Sequence, residues 1–144
     1  MRSAKPRSPV AAVAPPDPSG RDLLFVYGSL MAGFPLHPAL AGVADAIGAG
    51  RIRGRLVDLG AYPGAVPSAL GHVRGEVYRV RRSEGWARLD YAEGPQYHRD
   101  EAVVELDGGG QVRAFVYWYR GPLDRGVPIP GGDYRAHAPA RSIY

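Results

Sequence analysis

A chain of 144 residues, 45% of them hydrophobic, makes one globular domain with a real core and is too short for two ordinary ones. It has no cysteine, which excludes disulfide staples, thiolate nucleophiles and Cys-ligated metals, and no apolar run near the ~20 residues of a membrane helix. The formal charge of +4 comes without the clustered basic stripe that a phosphate backbone demands, so the expectation is a soluble, cytoplasmic protein with no nucleic-acid or membrane partner.

Residues 1–20 are rich in Pro, Ala and Ser and carry Arg2, Lys5 and Arg7 against Asp17 alone. Lacking any periodicity, they read as a flexible leader to a single domain over 21–144. Leu23 to Tyr27 is a continuous apolar run ended by Gly28-Ser29, the pattern of a strand buried on both faces. Pro35 and Pro38 punctuate the next stretch; His37 to Gly42 makes a single helical turn, and a Gly-rich connection follows through Gly50. Arg51 to Leu59 reads as a strand with Arg51, Arg53 and Arg55 on one face. That face is either simply solvated or steers an anionic ligand or RNA.

After a turn-rich loop from Gly60 to Gly71, Val73 to Val80 reads as another strand, with Gly75 a bulge or a point of close approach. One helix is persuasive. Ser83 can cap its start and Gly94-Pro95 stops it. Trp86, Leu89, Asp90 and Glu93 fall at i, i+3, i+4 and i+7, hence on one face. Glu101 to Leu106 and Gln111 to Tyr119 flank Asp107-Gly108-Gly109-Gly110, a hairpin signal. Beyond Arg120, the Pro and Gly of residues 121–132 indicate an irregular C-terminal arm.

Two places can carry chemistry. Trp86 and Leu89 turn the helix face inward, so Glu93 leaves that face where the helix ends. Desolvation and the negative end of the helix dipole both favour its protonated form and raise its pKa, as general acid–base catalysis requires. The bland alternative is a frayed helix end with Glu93 in water. Asp90 either supports the site or hydrogen-bonds a backbone group. The second place is Tyr27-Gly28-Ser29-Leu30, where a buried strand runs into a turn. Its successive N–H groups can hold a carboxylate or an oxyanion, with Gly28 letting a ligand approach closely; otherwise Tyr27 is a core aromatic and Ser29 a turn residue. There is no phosphate loop, dinucleotide fingerprint or nucleophile elbow. His37, His72, His98 and His137 lack metal-ligand spacing.

Phe25-Val26-Tyr27-Gly28-Ser29-Leu30, Gly60-Ala61-Tyr62-Pro63, Val73-Arg74-Gly75-Glu76-Val77-Tyr78, Leu89-Asp90-Tyr91-Ala92-Glu93-Gly94 and Tyr97-His98-Arg99 occur in this order, followed by the aromatic strand. In that combination the chain resembles the γ-glutamylcyclotransferase-like family, over about Leu23 to Tyr119. Ile129-Pro130-Gly131-Gly132-Asp133-Tyr134 is also similar to the family's tail, with Tyr in place of Trp.

The resemblance implies an α+β fold, a small mixed open β-barrel with helices packed outside and a cavity at the barrel mouth. It implies that the Gly28, Ser29 and Leu30 amides bind the substrate's α-carboxylate or reacting carbonyl oxygen, that Tyr27 and Tyr119 line the pocket, and that Glu93 is the acid–base residue. The implied reaction is attack by the α-amine of a γ-glutamyl group on its own γ-carbonyl, releasing 5-oxoproline without a cofactor. The resemblance leaves the departing amine open. A second reading, a non-catalytic ligand- or RNA-binding module on the same fold, rests on the basic leader and the Arg51/Arg53/Arg55 face.

Overall fold

The computed structural model describes residues 22–81 and 83–137, with Ser83 and Glu84 described by backbone alone. The expected leader over residues 1–20 and the expected Ser83 side-chain cap therefore lie outside the described residues. Within them the order is β1 (Leu23–Val26), α1 (His37–Ala41), β2 (Ala44–Arg53), β3 (Arg55–Asp58), β4 (Pro63–Val66), β5 (His72–Val80), α2 (Ser83–Glu93), β6 (Tyr97–Leu106), β7 (Gln111–Tyr119), β8 (Val127–Ile129) and α3 (Tyr134–His137).

The apolar run after Asp22 becomes the fully buried β1, which pairs antiparallel with β5 on one side and parallel with β7 on the other. Strands β1, β5, β2, β6 and β7 thereby form a ring, and β4, β3 and β8 extend the sheet beyond β7. The fold is a small mixed α+β barrel, with α1 and α2 packed together against β2 and β5. The resemblance implies an open barrel; here the ring is closed, though only by the register pairs Leu24↔Phe115 and Phe25↔Val116. Farther along β7, the neighbour on that edge is β4, paired in parallel at Ala65↔Trp118. That change of neighbour leaves an opening beside Tyr117.

Local signals explain most of these elements. Leu89 is fully buried and Trp86 packs edge-on against Phe115 at 5.2 Å, so the apolar face of α2 lies on the barrel. Gly94 at φ +93 takes the left-handed conformation after the last helical residue, and its N–H reaches back to the Asp90 carbonyl at 3.2 Å. The β6–β7 hairpin turns at the expected place, with positive φ at Gly109 and Gly110.

Elsewhere glycine misleads. β2 starts at Ala44, inside the expected Gly-rich connection, because Gly50 marks a crossing and not a break. A Cβ there would lie 2.6 Å from the Glu105 carbonyl oxygen. The bulge falls between Ala46 and Gly48. The strand expected over Arg51–Leu59 is two strands, divided at Gly54. The expected loop and C-terminal arm supply β4, β8 and α3; β4 folds back antiparallel on neighbouring β3, while its pairing with β7 and that of β8 with β3 join segments too distant in sequence for local pattern to reveal. Arg51 and Arg53 end β2, where Arg51 pairs with Glu105 at 2.8 Å and Arg53 donates to the Ala69 carbonyl at 3.0 Å. Among the described residues, no helix is long and apolar enough to cross a membrane.

Gly75 is a point of close approach. A side chain there would collide with the Val26 carbonyl oxygen and lie 2.6 Å from Phe25 Cζ. Gly75→Ala is expected to destabilise the domain by about 3 kcal/mol in urea titrations. Gly48→Ala, with nothing within 4 Å of the new methyl group, should change it by less than ~1 kcal/mol.

Candidate functional site

The opening between β1 and β4 is bridged by one hydroxyl. Tyr27, the first residue after β1, donates to the Tyr117 carbonyl at 2.6 Å and accepts from the Ala65 N–H at 3.1 Å. A phenol thus stands in for a strand rung where β7 exchanges β1 for β4. Burial first, then the nearby Glu93 charge, raises the Tyr27 pKa and keeps the phenol protonated. Its ring, and not its hydroxyl, is what it presents to the cavity.

The chain then makes a turn closed by the Met31 N–H on the Gly28 carbonyl at 2.9 Å. The carbonyls of this turn are occupied: that of Ser29 accepts the Leu36 N–H at 2.9 Å, and that of Leu30 meets His37 Nδ1 at 2.9 Å. Among the described residues, the N–H groups of Gly28, Ser29 and Leu30 have no partner. Consecutive unpartnered donors of this kind suit an anion or a developing oxyanion. Gly28 owes its identity to packing: a Cβ would sit 2.5 Å from Pro63 Cγ. Packing thus requires a glycine there in addition to the close approach of a ligand expected from sequence.

Glu93 is the last residue of α2. It borders the same cavity of about 300 Å³ as Gly28, Ser29 and Leu30, with Tyr27, Tyr62, Tyr97 and Tyr117 among the aromatic walls. No described residue hydrogen-bonds to its carboxylate or pairs with it. Burial alone pushes its pKa from 4.5 up to about 7.

Five of the six residues selected from sequence, Glu93, Tyr27, Gly28, Ser29 and Leu30, therefore share one cavity. Tyr119 does not border it: its ring packs edge-on against Tyr97 at 5.4 Å and its hydroxyl donates to the Pro122 carbonyl at 2.8 Å. Tyr97 and Tyr117 take the wall instead, and sequence reasoning gave neither a role. Tyr97 stands in the Tyr97-His98-Arg99 motif, and Tyr117 shares the strand face of Tyr119; those were the available signals. Asp90 holds this wall from outside the cavity, accepting the Tyr117 hydroxyl at 2.6 Å with Arg99 Nε at 3.3 Å.

A family model described as "Gamma-glutamyl cyclotransferase, AIG2-like" matches residues 24–136, which span the barrel and both halves of this cavity. The chain belongs to that family. A relative from Methanocaldococcus jannaschii, named "Putative gamma-glutamylcyclotransferase MJ1514", is 32% identical over 121 residues, covering 79% of this chain and 96% of that protein. The solved structure of PH0828 from Pyrococcus horikoshii superposes with a TM-score of 0.65 at 30% identity, over 84% of this chain and 98% of that one. A mouse AIG2-like protein superposes at 0.60 with 28% identity, over 67% of this chain and 76% of its own.

Two tests follow for this cyclotransferase-family cavity. Because Glu93 ionises near pH 7 when folded and near 4.5 when unfolded, the unfolded chain loses its proton first as pH rises. Stability therefore falls between pH 4.5 and 7, by up to ~3 kcal/mol. Glu93→Gln should match the wild type in denaturant titrations at pH 4 and exceed it at pH 8. Separately, Ser29→Ala should melt within a few degrees of the wild type, while Gly28→Val should lower the midpoint sharply through its collision with Pro63.

Proposed function

We propose that the protein is a γ-glutamyl cyclotransferase whose acid–base group is Glu93. One observation carries the reading: a desolvated carboxyl poised near neutrality borders the same small cavity as three unpartnered backbone N–H groups. The cavity is at the lower end of the volumes of small-molecule sites, suited to a compact substrate. Its walls are largely apolar, which strengthens each charge and dipole inside.

In this scheme the Gly28, Ser29 and Leu30 amides receive the substrate's α-carboxylate or the oxygen of its γ-carbonyl. The Glu93 carboxylate accepts a proton from the α-ammonium. The freed amine attacks the γ-carbonyl, and the new C–N bond closes a five-membered ring. As the old C–N bond breaks, the Glu93 carboxyl group gives a proton to the departing nitrogen; the ring nitrogen then loses its second proton to the Glu93 carboxylate, and that proton leaves on the released amine as an ammonium ion, giving 5-oxoproline and the starting carboxylate. Nucleophile and electrophile belong to one molecule, so holding it in a folded, near-attack shape supplies much of the acceleration.

Release of 5-oxoproline from a panel of γ-glutamyl amines, amino acids and peptides tests the reaction. Glu93→Gln should lower kcat/KM by ~10²–10⁴-fold, and undiminished turnover by that variant would sink the mechanism. The base must be ionised to act. For the wild type, kcat/KM should therefore rise about tenfold per pH unit below ~7 and level off above it, in initial-rate measurements from pH 5 to 9.

A further inference from the structure

Behind the Gly28–Leu30 turn stands a second carboxylate that the proposed chemistry does not use. Glu76 on β5 accepts the Ala32 N–H at 3.1 Å and the Tyr78 hydroxyl at 2.9 Å through Oε1. Its Oε2 accepts Arg135 Nη2 at 2.9 Å. One side chain thus ties together β5, α3 and the loop that follows the turn. The tie is reinforced: the Arg135 guanidinium lies 5.1 Å from the Phe34 ring centroid, and Phe34 meets Tyr134 at 5.4 Å. Helix α3 therefore grips residues on the loop that runs on to Pro35 and Leu36 at the cavity.

The turn is short and needs two fixed ends. At its start, the Tyr27 hydroxyl anchors the chain to β7 and β4. At its end, Ala32 is the first residue past the Met31–Gly28 bond, and its N–H goes to Glu76. A charge-assisted hydrogen bond is stronger and more directional than a neutral one. Arg135 limits the rotamers open to the carboxylate, so its direction is set before any ligand arrives.

We propose that Glu76, oriented by Arg135, is a positioning residue that aims the Gly28, Ser29 and Leu30 amides into the Glu93 cavity. The proposal rests on the reading of those amides as the substrate's cradle. Glu76 touches no reacting atom; it acts through the backbone of Ala32. A cradle displaced by about 1 Å lowers turnover by ~100-fold.

The test uses the full chain and two readouts, amide hydrogen exchange by NMR and kcat/KM for 5-oxoproline release. In Glu76→Ala, exchange should quicken at Ala32 and the adjoining turn while the β2–β5 ladder keeps its protection. Turnover should fall ~100-fold with the midpoint near pH 7 unmoved, since Glu93 is untouched. Glu76→Gln keeps an acceptor for Ala32 and loses the ion pair, so its loss should be ~10-fold, and Arg135→Met should match it. Wild-type exchange at the turn, wild-type kcat/KM, or a loss of protection spread evenly over the barrel would each overturn the proposal. Should Glu76→Ala fail to fold, Glu76→Gln and Arg135→Met carry the same readouts. If the wild type releases no 5-oxoproline from any γ-glutamyl compound, the reaction is refuted while the exchange data still decide the role of Glu76.

Discussion

The architecture turns on a hydroxyl group used as backbone. Strand β7 cannot keep β1 beside it along its whole length, because β1 ends at Val26 and β4 joins only near Trp118. Between them the Tyr117 carbonyl and the Ala65 N–H would face each other with no strand to satisfy both. A buried unpaired pair of that kind costs a few kcal/mol. The Tyr27 phenol satisfies both at once. It keeps the barrel continuous while leaving the room that becomes the cavity.

The electrostatics follow from that arrangement. Because the phenols are used as struts, the cavity contains few polar groups, and Glu93 sits among ring faces with no described partner. The resulting penalty on its charge is a stability defect of the folded chain above neutral pH. The same penalty would tune the carboxyl for the proton transfer proposed for it, so that loss of stability and gain of reactivity would have one physical source.

Much of this was legible in the chain. β1 is an uninterrupted apolar run, the β6–β7 turn is marked by three consecutive glycines, and Gly94 ends α2 in the only conformation that suits it there. With Leu89 one turn earlier fixing the inward direction, the placement of Glu93 could be read locally. The misreadings share another origin. Gly50 is a glycine because Glu105 lies against it, and that neighbour is not near in sequence. Tyr117 and Tyr119 alternate onto one face of β7, and alternation alone does not say which rung reaches the cavity. That depends on where β1 gives way to β4, a property of the closed sheet.

The outward-turned phenols have a further effect on water. Tyr27, Tyr97 and Tyr117 direct their hydroxyls to the Tyr117 carbonyl, the Pro63 carbonyl and Asp90 respectively, so these walls offer carbon surface to whatever enters. A solvent molecule inside would find its best anchors at Glu93 and the turn amides, the groups a bound γ-glutamyl moiety would occupy. Water would then be held least well at the moment an acyl carbon is open to attack. In the proposed reaction an internal amine would then outcompete hydrolysis, and the ratio of cyclic product to free glutamate would become a property of where three hydroxyl groups point.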